Sequence, residues 1–143
     1  MSIEVERRFG SDPSTPAAVR SLVSEMLRLW ECGDYEETAS LLASELATNA
    51  LVHTGTDISV RLSLDREVLL VEVEDGSLEL PRPIPITTDS ERGRGLVLVQ
   101  ALSQKWGATR RAGGKVVWFE LTVRPRPWRV AAPRDPSRHA AAV

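Results

Sequence analysis

The sequence predicts an α+β fold: a two-layer sandwich in which a mostly antiparallel mixed sheet is covered on one face by three helices. Three observations carry that prediction. Apolar residues recur at helical spacing through two stretches before Gly55. After Gly55 the apolar period changes to two, in runs joined by short polar turns. The 143 residues, 42% of them hydrophobic, hold enough apolar material for one core and no more.

The elements follow in order. Ile3, Val5, Arg7 and Phe9 alternate as a short strand. Pro16 after Thr15 is a first-turn pairing that opens a helix. Val19, Leu22, Val23, Met26, Leu27 and Trp30 then make one apolar stripe, and Gly33 is expected to end that helix. Asp34 and Glu37 read as a capping-box pair opening a second helix. Leu41, Leu42, Leu46, Ala50 and Leu51 supply its apolar face, and Gly55 closes it. Ile58, Val60, Leu62 and Leu64 point one way along a strand, and Asp65-Arg66 turns the chain into Val68–Val73. The pair is a hairpin. Gly76 to Arg92 lacks periodicity and holds Pro81, Pro83 and Pro85, so it reads as a long loop. Gly95 opens a third expected helix carrying Leu96, Val99, Leu102 and Trp106. A last hairpin runs from Thr109–Ala112 through Gly113-Gly114 to Lys115–Val123.

Charge divides the chain in two. Arg124 to Val143 holds five arginines, one acid and four prolines, and reads as a mobile tail outside the fold. The body, 1–123, carries 13 basic and 19 acidic residues. A net charge of -2 lacks the basic surplus of a general nucleic-acid binder. One cysteine, Cys32, excludes an internal disulfide framework and a cysteine-rich zinc site. It reads as structural. No run of about 18 apolar residues offers a membrane span, and Met1–Gly10 is charged and alternating, unlike a signal peptide. The expected location is the cytoplasm.

Three stretches hold chemistry. Glu45, Asn49 and His53 stand four apart, so on a helix they share one face, one turn above another. A carboxylate there can take a proton, and an amide oxygen is a hard ligand suited to Mg²⁺. A solvated helix face is the competing reading. His53 either continues the stripe or sits as a favourable cation near the helix end. Asp75 follows a buried-type strand directly and could accept a hydrogen bond from an exocyclic amine, or simply form an Asp-Gly turn with Gly76. In Arg92-Gly93-Arg94-Gly95-Leu96 two glycines before a helix free backbone N–H groups to face an anion, and two arginines add positive charge. Glycines capping a helix would explain the same pattern.

The order of these stretches resembles the GHKL (Bergerat-fold) ATPase superfamily. Within it the chain is most similar to the small anti-sigma-factor serine/threonine kinases, from roughly Arg8 to Leu121. Glu45-Leu-Ala-Thr-Asn49-Ala-Leu-Val-His53 matches the N-box, Gly93-Arg-Gly95-Leu-Val-Leu-Val the second glycine box, and Lys115-Val-Val-Trp118-Phe119-Glu-Leu the closing strand. The resemblance implies ATP with Mg²⁺ as cofactors, Asn49 as the metal ligand and Glu45 as the general base toward a serine or threonine hydroxyl. It implies Asp75 on the adenine amine, Gly93 and Gly95 around the phosphates, and Gly76 to Arg92 as a lid. It also implies a sigma factor and an antagonist protein as partners, and a homodimer.

The chain departs from the family pattern twice. The first glycine box, normally Asp-x-Gly-x-Gly, reads Asp75-Gly76-Ser77-Leu78-Glu79. Val116 is expected where the family often carries a threonine that supports the adenine site. Two readings therefore stand beside a plain structural domain: a protein kinase, and an inactive protein-binding module of the same fold with weak or no nucleotide binding.

Overall fold

The computed structural model describes residues 2–76, 98–99, 101–111 and 113–124. Strand β1 (Ser2–Phe9) leads into helix α1 (Thr15–Leu29), a 3-10 turn at Gly33–Tyr35, and helix α2 (Glu36–Thr54). Strands β2 (Ile58–Asp65), β3 (Val68–Asp75), β4 (Lys105–Arg111) and β5 (Gly114–Thr122) follow. They form one five-stranded sheet in the order β1-β2-β3-β5-β4. Every pairing among the described strands is antiparallel, so the expected mixed sheet is not found there.

Helix α1 starts as the sequence indicates, with Pro16 in the first turn where its missing N–H costs nothing. The Asp12 carboxylate accepts from the Ser14 hydroxyl at 2.7 Å and the Ser14 N–H at 2.8 Å. These two bonds, the hydroxyl's first, hold its carboxyl below the ordinary carboxylate value. The end of α1 differs from expectation. Trp30 caps it, and Glu31, not Gly33, takes the left-handed conformation, at φ 61°. The Cys32 N–H then donates to the Leu27 carbonyl (2.7 Å) and the Glu31 N–H to the Arg28 carbonyl (3.2 Å). This is a Schellman motif, with Cys32 and Leu27 both buried in the core. Burial pushes the Cys32 thiol up from its ordinary value, with the neighbouring Glu31 adding to the shift. The thiol is therefore a packing group, as the sequence suggests.

Asp34 does not cap α2. It lies inside the 3-10 turn, and Tyr35 stands at the cap position without a side-chain cap bond. The turn is tied instead by the Tyr35 N–H donating to the Cys32 carbonyl at 3.0 Å. The far end of α2 follows expectation, with Gly55 at φ 63°.

The core lies between the helices and one sheet face. Val19, Leu22, Val23 and Leu27 of α1 and Leu42, Leu46 and Ala50 of α2 are buried. They join the inward residues of β2 and β3 and Val117, Phe119 and Leu121 of β5 in one cluster. The third helix is present in part: residues 98–99 and 101–102 are helical, Val99 is buried, and the Ser103 N–H donates to its carbonyl at 3.0 Å. Trp106 does not belong to it. It is the second residue of β4, which begins four residues before the expected Thr109, because β5 is long enough to pair back to Lys105. Gly107 permits this: a Cβ there would lie 2.8 Å from the Trp118 ring, which occupies that space.

The other sheet face carries Trp118, opposite Gly107 and Glu72, so this tryptophan is not in the helix-facing core. Beside it Glu72 takes Arg61 at 2.8 Å and Arg111 at 3.2 Å, and Arg111 reaches Glu74 at 3.7 Å. The hydrogen bond that Arg61 donates to Glu72 raises its guanidinium above the ordinary value, so it stays charged. Among the described residues no helix is long and apolar enough to cross a membrane. The expected tail lies outside the described residues beyond Arg124, and the expected loop lies outside them beyond Gly76.

Candidate functional site

The site is built where the end of α2 meets the end of β3. Glu45 and Asn49 sit on α2, both half-buried, one turn apart. Leu46, Ala47 and Ala50 between and beyond them are buried in the core. The core thus sets the rotation of the helix and with it the direction in which the polar stripe emerges. His53 lies in the same helix, on its last turn.

A hydroxyl relay ties this helix end to the sheet. Thr54 Oγ1 donates to the Ala50 carbonyl at 2.8 Å and lies 3.0 Å from Thr56 Oγ1. Thr56 Oγ1 in turn accepts the Gly76 N–H at 3.0 Å. Gly76 follows the last residue of β3, Asp75, so the backbone beside Asp75 is bonded to the segment that leaves α2. A pocket of about 340 Å³ opens here, lined by Thr56, Asp75, Gly76 and Gly113, with Arg8, Asp57, Ser59 and Glu74 on its remaining sides.

Asp75 is buried, its side chain only 1% exposed, and it forms an ion pair with Lys115 Nζ at 3.2 Å. The Lys115 side chain is itself 5% exposed. The register explains the meeting: Asp75 stands directly opposite Lys115 between β3 and β5. Directly opposite residues share a face, and this is the helix-facing one, with Val73 and Val117 next along it. The same register separates Val116 from Asp75. Val116 pairs with Glu74 on the other face, so Lys115 holds the position beside the Asp75 carboxylate. A glycine precedes it for a steric reason. A Cβ on Gly114 would collide with the Asp75 carbonyl oxygen, so only glycine lets the two chains approach this closely.

Lys115 and Thr56 carry structural roles that the sequence reading did not assign. A signal for Lys115 was present: it shares its parity with Val117, Phe119 and Leu121, the β5 residues of the core cluster. An inward charge in an apolar alternation calls for a partner. Thr56 had no such signal, since its partner is 20 positions away.

Of the expected site residues, Glu45, Asn49, Asp75 and Gly76 fall on α2 and at the end of β3. Arg92, Gly93, Arg94, Gly95 and Leu96 lie outside the described residues. Among the described residues no group of three or more His, Cys, Asp or Glu side chains is placed to hold a metal ion. A metal at Asn49 would therefore draw its other ligands from a bound phosphate and water, as Mg²⁺ commonly does.

A family model described as the histidine kinase-like ATPase domain matches residues 9–121. The chain belongs to this family. Its residues 9–121 span β1's last residue to the end of the β5 core, so the match embraces α1, α2 and every described site residue but Arg8. The catalytic domain of the histidine kinase ThkA, in a nucleotide-free form, superposes with a TM-score of 0.51 at 18% identity, covering 85% of this chain and 97% of that one. That likeness is one of fold: the α+β sandwich here is the family's. No curated protein matches the chain significantly. ATP is the ligand class for which the histidine kinase-like ATPase family is named. Two features of the site fit it, the half-buried Asn49 amide and the Glu45 carboxylate one turn away. One feature is set against it: Asp75 already faces an ammonium.

Proposed function

We propose that this chain is an ATP-binding regulatory domain that transfers the γ-phosphoryl group to a serine or threonine of an antagonist protein and sequesters a sigma factor. The observation that carries the reading is the Glu45–Asn49 pair, half-buried one turn apart on a helix whose back is locked into the core. Phosphoryl transfer asks little covalent chemistry of a protein and much positioning. Asn49 would hold Mg²⁺, which supplies charge neutralisation at the phosphates when bound. Glu45 accepts the proton of the attacking hydroxyl as that oxygen bonds to the γ-phosphorus and the bond to the β-phosphate oxygen breaks, releasing ADP. The domain acts in the cytoplasm as a homodimer.

The test separates base from binder. Glu45→Gln keeps the shape of the side chain and removes its basicity. Transfer to the antagonist protein should fall by about 10²-fold or more, the scale of a positioned general base, with ATP affinity kept within about threefold. Unchanged transfer would remove Glu45 from the chemistry. Asn49→Ala should weaken ATP binding in saturating Mg²⁺ and leave the fold intact, since alanine is the better helix former.

A second reading rests on its own observation. The buried Lys115–Asp75 pair and the Asp75-Gly76-Ser77 box favour a protein-binding module that has given up catalysis. Calorimetry of ATP with and without Mg²⁺ distinguishes the two: absence of binding in both conditions supports the module.

A further inference from the structure

We propose that Lys115 is an internal occupant of the nucleobase carboxylate and determines the affinity of the site for adenine nucleotides. The inference rests on the nucleotide reading above and adds a residue to it. The Lys115 ammonium lies 3.2 Å from Asp75 Oδ2, with both side chains nearly out of solvent. An exocyclic amine is a neutral donor. An ammonium donates to the carboxylate with the attraction of opposite full charges added to the hydrogen bond, which a neutral amine lacks. A base amine entering at Asp75 must therefore share the carboxylate with Lys115 or displace it, and a displaced buried ammonium must find another acceptor.

The surroundings decide which partner yields. Asp75 is held from two sides. Gly114 lies so close that its hypothetical Cβ would strike the Asp75 carbonyl oxygen, and the following Gly76 N–H is bonded to Thr56 Oγ1 at 3.0 Å. A Cβ on Gly76 would also come within 3.1 Å of Thr56 Cγ2, so that side has little slack. The Asp75 backbone is therefore packed closely against Gly114 and tethered through Gly76 to Thr56. Lys115 has four side-chain torsions and is the part that can swing. Its position on β5, directly opposite Asp75, means that no other change of register is needed to vacate the carboxylate.

Two measurements test this. In the first, calorimetry with ATP and Mg²⁺ compares the wild-type chain with Lys115→Thr, which removes the ammonium and keeps a hydroxyl donor. The variant should bind at least tenfold more tightly. Equal or weaker binding by the folded variant overturns the proposal, and weaker binding would make Lys115 a contact to the base. Absence of binding by both folded proteins defeats the nucleotide reading and the proposal with it. The second measurement needs no variant that might fail to fold. Wild-type affinity is compared for ATP and for purine riboside triphosphate, which lacks the 6-amino group. With Asp75 occupied, losing the amine should change affinity by less than threefold. A loss of threefold or more would show Asp75 reading the base amine in spite of Lys115, and would overturn the proposal while leaving the nucleotide reading intact.

Discussion

Lys115 and Asp75 show how much a single buried charge depends on its neighbour. Each would be costly alone in this position, because desolvation penalises an ion more than any neutral group. Removing one partner while leaving the other is the expensive change. Lys115→Met keeps the length of the side chain and takes the ammonium away from the Asp75 carboxylate. We expect a loss of about 3 kcal/mol in unfolding free energy, the scale for breaking a buried ion pair, measured by urea titration at neutral pH. A loss below about 0.5 kcal/mol would mean that water already reaches the pair, as it does for exposed ion pairs. Glu45 and Asn49 stand differently. Their spacing alone placed them on one face, and the buried Leu46, Ala47 and Ala50 fix which way that face looks.

Among the elements, the end of α1 is the least local in its logic. Glycine is the usual occupant of the left-handed position that ends a helix, and the nearest glycine is Gly33. The structure puts Glu31 there at φ 61°, since the Schellman bonds must place Cys32 over Leu27 in the core. Packing of the residue after the turn outweighs the conformational preference of the residue in it. A non-glycine residue in that region costs about 1 kcal/mol. Glu31→Gly should therefore raise stability by about 0.5–1 kcal/mol, visible as a higher urea midpoint with an unchanged slope. A fall in midpoint would show that the Glu31 side chain contributes more than its backbone strain costs. At β4 the same conflict went the other way for the sequence reading. Trp106 continues a helical spacing from Leu102, yet it forms a strand, because seven backbone pairings with β5 and the Gly107–Trp118 contact outweigh one matching apolar position.

At the scale of the whole molecule, one cluster of buried residues runs from α1 through α2 into β2, β3 and β5. A shared core predicts cooperative unfolding. Tryptophan fluorescence reports Trp30 in the helix layer and Trp106 and Trp118 on the sheet, together with Trp128, which lies outside the described residues, and far-UV circular dichroism reports the backbone. The two signals should give one urea midpoint; separated midpoints would mean that the layers unfold independently. The sequence by itself determined what depends on neighbours along the chain. It set the helical stripes, the two-residue alternation of the strands, the Gly55 stop and the Glu45–Asn49 face, because periodicity and turn chemistry are local properties. It could not decide what depends on which strand lies beside which. The opposition of Asp75 and Lys115, the displacement of Val116 to the other face, and the bond from Gly76 to Thr56 come only from the register of β3 against β5 and of the α2 terminus against β3. Register is chosen by burying the whole apolar set of each strand at once, so the partners of the site's one buried carboxylate follow from the packing of residues that never touch it.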